Sequence, residues 1–253
     1  MKDSGERWTY SEGVETLAQR QHLARYRFAS RFVKGLRVLD VASGSGYGSY
    51  LLFKSGAKEV VGVDVDQQAV NYSNRTYHGE NLSFVVGDAE NLRFKKDRFD
   101  VVVSFETIEH LPNHLKYIQE IKRVLAKNGL FIMSTPDKDI YRAYNLGVNN
   151  QYHVSEMRRN EIIEFLNSHF TNARFYGQVP FNSRLWKSVS NFPFATAIIG
   201  KLGISAIYSF YRKLTFIPGL SSYYTKMSEE MSDSINPLDS KDYVYILAVA
   251  KNS

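Results

Sequence analysis

The chain has 253 residues, 43% of them hydrophobic and 23% charged, which is enough to bury the core of one domain with a sizeable insertion. It contains no cysteine, which excludes disulfides, thiolate metal sites and cysteine nucleophiles, and we expect a cytoplasmic protein. Residues 1–13 are polar, so we expect no secretory signal. The net charge is +6, and residues 165–228 carry basic but no acidic side chains, which favours an anionic partner.

Predicted strands and helices alternate along most of the chain. Because the strands are almost wholly apolar, they predict an α/β fold with a Rossmann-like, mostly parallel sheet and helices on both faces. We predict helices over 14–33, 47–54, 67–77, 115–125 (closed by a turn at 127–129) and 160–170, the last capped by Asn160. We predict strands over 37–41, 59–64, 82–86, 99–105, 129–134, 173–179 and 243–250.

Residues 181–231 interrupt this alternation with an aromatic and basic stretch. We interpret it as an inserted helical cap that precedes the last strand and binds substrate. Residues 1–180 and 232–253 then form the main domain, with 1–34 as an N-terminal helical lid. Within the insertion, 194–214 has apolar residues at helical spacing, which favours a cap over the active site; the alternative is peripheral contact with a membrane surface.

A glycine-rich loop, 40–48, follows the first predicted strand, at the sheet edge where open α/β sheets bind ligands. Asp40 begins this loop, and a carboxylate there would repel the pyrophosphate of a dinucleotide. The same carboxylate favours a ligand that carries an ammonium or a sulfonium group. S-adenosylmethionine carries both.

Two further carboxylates follow the next two predicted strands. Asp64 can accept hydrogen bonds from a ribose diol, and Asp88 can accept one from an adenine amine. Isolated acids at strand ends commonly cap helices, but three in succession indicate one ligand site. The spacing therefore predicts a nucleoside-containing, cationic cofactor.

Five segments together resemble the class I S-adenosylmethionine-dependent methyltransferases: VLDVASGSGYGSYLL, VVGVDVD, FVVGDAENL, FDVVVSFETIEHL and LFIMSTPDK. The resemblance covers about residues 5–180 and a final strand near 243–250. The loop's usual first glycine is Ala42 here, and alanine favours negative φ at that position. The resemblance implies S-adenosyl-L-methionine as cofactor, bound by Asp40, Ala42, Gly44, Gly46, Asp64, Val65, Asp88, Ala89, Phe105 and Glu106.

Segments outside this core are similar to one subgroup, the methyltransferases associated with surface-polysaccharide and other glycan biosynthesis. They include GERW at 5–8, the 22–26 stretch of the first helix, and YHVSE at 152–156. This similarity implies O-methylation of a saccharide or of a phosphorylated glycan intermediate.

The fourth strand leads into Glu106-Thr-Ile-Glu109-His110, where the transferred methyl group is expected. Histidine is the side chain whose ordinary pKa lies nearest neutral pH, so His110 is the first candidate for a general base that activates a hydroxyl. Glu109 is expected to orient it, and His153 is a second candidate, facing it across the substrate. A metal site of Glu106, His110 and His153 is the less favoured alternative, because the spacing defines no coordination geometry, and we expect no metal.

Other functions are less consistent with the sequence. A small-molecule methyltransferase of the quinone type is the main alternative, because such sequences share the Glu-x-x-Glu-His run. A nucleic-acid methyltransferase is disfavoured, because the loop after the fourth strand lacks the Asn/Asp-Pro-Pro-aromatic motif; we expect no nucleic-acid partner. A non-catalytic protein that retains the cofactor fold is the remaining alternative. The sequence does not indicate an oligomeric state.

Overall fold

The computed structural model describes residues 17–144, 150–178, 235–238 and 243–252, and its central feature is an eight-stranded sheet. The strand order is β3-β2-β1-β4-β5-β8-β6-β7. In chain order the strands are β1 (Arg37–Val41), β2 (Glu59–Asp64), β3 (Leu82–Val86), β4 (Phe99–Phe105), β5 (Leu125–Pro136), β6 (Thr171–Gln178), β7 (Ile235–Pro237) and β8 (Tyr245–Lys251).

The first five strands run parallel, whereas β8 is antiparallel to both β5 and β6, and β7 is antiparallel to β6. The carboxyl ends of β1 to β5 therefore meet at one edge of the sheet. The order reverses direction between β1 and β4, and this switch is where ligands bind in sheets of this kind. The predicted mostly parallel α/β fold is confirmed.

Helices cover both faces of the sheet because alternate strand residues point to opposite sides. One buried cluster joins Leu39 and Val61 to Tyr117 and Ile162, and the other joins Val38 and Val60 to Leu52. The helices are α1 (Leu17–Ala29), α2 (Tyr47–Lys54), α3 (Gln67–Thr76), α4 (His114–Val124), α5 (Lys138–Tyr144) and α6 (Arg159–His169). The apolar strands of the sequence are thus buried on both sides.

The elements differ from the predicted ones mainly at their ends. Strand β5 begins at Leu125, so the turn predicted at 127–129 lies within it, and Asn128 takes a φ of 64° while its N–H bonds the carbonyl of Asn252 at 2.9 Å. Asn160 does not cap α6: the helix begins one residue earlier, and the N–H of Arg158 donates to the Glu161 carboxylate at 2.7 Å. Helix α5 was not predicted.

The inserted cap predicted at 181–231, with its membrane-contact alternative at 194–214, lies outside the described residues, as do residues 1–16 of the predicted lid. Among the helices of the described ranges, none combines the length and apolar character needed to cross a bilayer.

Candidate functional site

A cavity of about 710 Å³ opens at the carboxyl ends of the parallel strands. Loops after β1, β2, β3 and β4 form its floor, and α1 contributes Gln21, His22 and Arg25 to its wall. Most of the predicted site residues lie together here. The cavity is lined by Ala42, Gly44, Asp64, Val65, Asp88, Ala89, Phe105, Glu106, His110 and His153, among others.

Asp64 holds the glycine-rich loop in place. One carboxylate oxygen accepts the N–H of Gly44 at 2.8 Å, and the other accepts the N–H of Asp66 at 2.9 Å. The side chain is 6% exposed at the cavity wall. Each carboxylate oxygen has a second lone pair, so this residue can organise the loop and still accept from a ribose diol.

The expectation that Ala42 keeps a negative φ is wrong, because its φ is 60°. Neighbouring hydrogen bonds impose this left-handed conformation: the Ser43 N–H bonds the carbonyl of Val63 at 2.9 Å, and Gly44 is held by Asp64. A strained backbone persists where its surroundings determine it in this way. Gly46, at 82°, is the N-cap of α2 and is not among the residues that line the cavity.

Asp40 lies behind the loop rather than on the cavity wall. It is fully buried, and its carboxylate accepts hydrogen bonds from the hydroxyls of Tyr26, at 3.1 Å, and Ser49, at 2.6 Å. Burial raises the pKa of Asp40 to about 7, although both hydrogen bonds act in the opposite direction. The carboxylate of Asp40 therefore joins α1 to α2, and its contact with the cationic end of the ligand stays a prediction.

The side chains expected around adenine lie at the end of the cavity formed by the loops after β2 and β3. Val65 is 70% exposed and lines the cavity, so its side chain is accessible to a ligand there. Asp88 accepts the N–H of Glu90 at 2.8 Å, and Ala89 stands beside it on the wall. Both line the cavity, and their contact with adenine stays a prediction.

Arg25 is a buried residue of this site that the sequence did not single out. Its guanidinium lies 3.1 Å from a carboxylate oxygen of Glu106, donates to Gln178 at 2.8 Å and covers the ring of Tyr245 at 4.1 Å. Ser134 donates to the same Glu106 oxygen at 2.7 Å. The similarity of residues 22–26 to the glycan subgroup indicates this helix but assigns Arg25 no role.

His110 and His153 meet on the opposite wall, with ring centroids 4.9 Å apart in an edge-to-face arrangement. The Nδ1 atom of His110 lies 2.9 Å from the carbonyl oxygen of Tyr152, and that of His153 lies 2.7 Å from the carboxylate of Glu156. Each acceptor selects the tautomer with the proton on Nδ1, which leaves the Nε2 lone pair available.

Glu109 does not orient His110 as predicted, because the Tyr152 carbonyl takes that place. Its carboxyl group is buried; one oxygen accepts from the Thr135 hydroxyl at 3.0 Å, and the other has no hydrogen-bond partner within the described ranges. Burial, followed by the negative charge of Glu106, raises the pKa of the Glu109 carboxyl well above its usual range.

The metal site considered from the sequence as an alternative consists of Glu106, His110 and His153. The structure instead groups Glu109 with the two histidines: one potential ligand atom from each of Glu109, His110 and His153 lies within 4.8 Å of the others. Glu106 is engaged by Arg25 and Ser134.

Comparison with known proteins finds a family match over the part of the chain that forms the cavity floor. Residues 32–183 match the family model described as a methyltransferase domain. That range begins just before β1 and ends just after β6, so it includes the loops that form the cavity floor.

Two curated relatives are similar to parts of the chain. One is a probable S-adenosylmethionine-dependent methyltransferase of Mycolicibacterium smegmatis, 29% identical over 163 residues, which are 64% of this chain and 62% of that protein. The other is a fatty-acid O-methyltransferase of the same organism, 35% identical over 101 residues, or 40% of this chain and 37% of that one. The chain therefore spans less than two thirds of either relative.

A solved structure supports the fold. The S-adenosylmethionine-dependent methyltransferase of Mesorhizobium loti superimposes with a TM-score of 0.59 over 93% of this chain and the whole of that one, at 14% identity. At that identity the likeness concerns the fold alone.

Proposed function

This chain belongs to the methyltransferase domain family, and we propose that it transfers a methyl group to an oxygen atom of a saccharide or of a phosphorylated glycan intermediate. Its cofactor is S-adenosyl-L-methionine. The walls near Asp64, Val65 and Asp88 suit the ribose and adenine of this cofactor. Its sulfonium then faces the loop after β4.

Methyl transfer is an in-line displacement. A lone pair of the acceptor oxygen forms the new C–O bond, the C–S bond breaks, and S-adenosylhomocysteine leaves as a neutral thioether. The enzyme supplies proximity, alignment and exclusion of water. A hydroxyl acceptor must also lose its proton, and the rate of that loss depends on groups in the cavity wall.

The main observation in favour of an oxygen atom as methyl acceptor is the pair of histidines, His110 and His153. Both rings have Nδ1 engaged by a fixed acceptor, and both line the cavity at the end of β4. Their Nε2 lone pairs are therefore available to an acceptor that binds in this cavity. Two such imidazoles suit a neutral hydroxyl, whose proton must be removed, better than an anion.

The saccharide as acceptor rests on the similarity of residues 5–8, 22–26 and 152–156 to the glycan subgroup. Tyr152 and His153 from the last of these segments line the cavity. The basic composition of 165–228 supports an anionic acceptor such as a phosphorylated sugar.

A fatty acid is the second candidate acceptor, favoured by the 35% identity to the fatty-acid O-methyltransferase. A carboxylate is already ionised and needs no proton removal. This candidate therefore gives the His110–His153 pair no role in activating the acceptor, and it predicts an ester instead of an ether.

The deciding experiment incubates the full chain with methyl-labelled S-adenosylmethionine and separate pools of nucleotide sugars, lipid-linked saccharides, fatty acids, quinone precursors and RNA. We expect label in a saccharide pool, in a form that resists mild alkali, as a methyl ether does. Alkali-labile label in the fatty-acid pool would establish the second candidate, and label confined to quinone precursors or RNA would reject both.

A further inference from the structure

We propose that Glu109, His110 and His153 bind a divalent transition-metal ion, and that the acceptor hydroxyl joins the same ion as a further ligand. The second part rests on the proposed function, whereas metal binding itself does not. From the sequence we expect no metal, because the spacing of Glu106, His110 and His153 in the chain defines no coordination geometry. In the folded structure His153 lies close to Glu109 and His110, although it is distant from them in the chain.

The three side chains come from two separate segments that meet on one wall. Glu109 and His110 belong to a 3-10 turn, Ile108–His110, directly after β4, and His153 lies in the segment before α6. A backbone hydrogen bond from the Ser155 N–H to the Glu109 carbonyl, at 3.0 Å, joins the two segments. One potential ligand atom from each residue lies within 4.8 Å of the others.

Both imidazoles are oriented in the way that metal-binding histidines usually are. A metal-ligating histidine donates its other ring N–H to a carbonyl or a carboxylate, which selects the tautomer and holds the ring. His110 is held by the carbonyl of Tyr152, and His153 by the carboxylate of Glu156. The Nε2 lone pairs that remain are the atoms a metal ion requires.

Glu109 provides a second and independent observation. Its side chain is 1% exposed, it lines the cavity, and one of its oxygens has no partner within the described ranges. An unpaired buried carboxylate oxygen is costly, and a protonated carboxyl or a bound cation relieves the cost. The nearby cation Arg25 forms its ion pair with Glu106 instead.

The ligand types indicate the class of metal. Two imidazole nitrogens with one carboxylate suit Zn²⁺, Mn²⁺ or Fe²⁺ better than Mg²⁺ or Ca²⁺, which prefer sites made entirely of oxygen. Three protein ligands also leave coordination positions open toward the cavity. Those positions suit one hydroxyl, or two adjacent hydroxyls of a sugar ring.

The ion would activate the acceptor as a Lewis acid. A metal-bound hydroxyl has a lowered pKa, so its proton passes to water and the oxygen remains as a bound alkoxide. That oxygen then forms the C–O bond while the C–S bond of the cofactor breaks. No oxidant or reductant is needed, and the metal leaves the reaction unchanged.

The test is calorimetric titration of the chelator-stripped full chain with MnCl₂ and ZnCl₂, without acceptor or cofactor. We expect one site per chain, with affinity lowered more than about 100-fold in Glu109→Gln and in His153→Gln. Glu156→Gln should lower it about 10-fold, as loss of a partner that orients a ligand does. His78→Gln and Glu80→Gln are matched controls, because both side chains are exposed and do not line the cavity.

Thermal unfolding of the metal-free variants checks that they fold. The proposal is overturned if the stripped wild type binds neither ion at a single site, or if Glu109→Gln and His153→Gln, when folded, bind as tightly as the controls. If the metal binds as expected but no hydroxyl acceptor is methylated, the site stands and the proposed function fails. If methylation of a saccharide continues unchanged after chelation, the activating role is rejected.

Discussion

The two halves of the cavity are built in different ways. The cofactor half consists of residues 42–45, 64–65 and 87–89, each directly after a strand of the parallel sheet. The acceptor half consists of Glu106, Glu109, His110, Tyr152 and His153, which come from two segments some forty residues apart. The first half is a repeating consequence of the fold, and the second is assembled from two segments that the fold brings together.

The halves also differ in how their carboxylates are satisfied. Asp64 accepts the backbone N–H groups of Gly44, in the loop after β1, and of Asp66, and Asp88 accepts that of Glu90. Glu106 and Glu109 depend on side chains from other elements, and one oxygen of Glu109 has no partner within the described ranges. Variants that affect one half alone therefore separate binding from catalysis.

The largest effect is expected in the acceptor half. His110→Ala should lower kcat by roughly 10²–10⁴ for a hydroxyl acceptor, because it removes a group that promotes loss of the proton. The affinity for S-adenosylmethionine should not change. Steady-state kinetics and calorimetry measure the two quantities, with His78→Ala as the exposed control. A variant that keeps most of its turnover would show that His110 is structural or that the acceptor is already an anion.

The next effect concerns Asp40, beneath the cofactor half. Its folded-state pKa, raised from 3.8 to about 7, means that the folded protein holds a proton more tightly than the unfolded chain. This contribution stabilises the fold at low pH and is lost as the pH rises from about 4 through about 7. Asp40→Asn removes the dependence, so the variant should gain about 4 kcal/mol relative to wild type across that range.

Urea unfolding of both proteins at several pH values, without cofactor, measures this gain. His22 shifts stability in the opposite direction at acid pH, because burial lowers its pKa to about 3, but it is present in both proteins and cancels in the difference. Parallel stability curves for wild type and variant would contradict the raised pKa.

A third prediction tests the packing that supports the cofactor half. A Cβ atom at Gly48 would lie 2.0 Å from Cζ of Tyr26, the residue that donates to Asp40. Gly48→Ala should therefore destabilise the fold by about 3 kcal/mol. Gly44→Ala is the control: its φ of 54° is strained for alanine, but its Cβ meets nothing within 4 Å, so it should cost about 1 kcal/mol. Equal losses would show that the close approach does not matter.

The smallest effect is a loss of cofactor affinity. Asp64→Ala should weaken S-adenosylmethionine binding by about 1.5–3 kcal/mol, because it leaves two ribose hydroxyls and the Gly44 N–H without an acceptor. Asp66→Ala is the matched control, because that carboxylate caps α3 by accepting from the Gln68 N–H at 2.8 Å. The control should lose stability but not affinity, and an unchanged affinity in Asp64→Ala would remove this residue from the site.

Local sequence patterns are sufficient to predict the strands of the parallel sheet and the residues of the cofactor half. Strands 37–41, 59–64, 82–86 and 99–105 were predicted with their observed bounds, because buried parallel strands are short apolar runs punctuated by turns. The carboxylates that follow them were found for the same reason: each is adjacent in the chain to the strand end that positions it. At Asn128 the long-range hydrogen bond to the Asn252 carbonyl accompanies the extension of β5, whereas at Asn160 a local bond from the Arg158 N–H to the Glu161 carboxylate sets the start of α6.

What the sequence by itself determined, then, is the α/β fold, the family and the residues that line the cofactor half, because these follow from periodicity and from neighbours in the chain. Tertiary structure alone decided that Asp40 binds Tyr26 and Ser49, that Arg25 pairs with Glu106, and that Glu109 lies beside the two histidines. Those outcomes depend on which side chains, distant in the chain, meet and form a hydrogen bond or an ion pair. The spacing of residues along the chain does not determine those contacts.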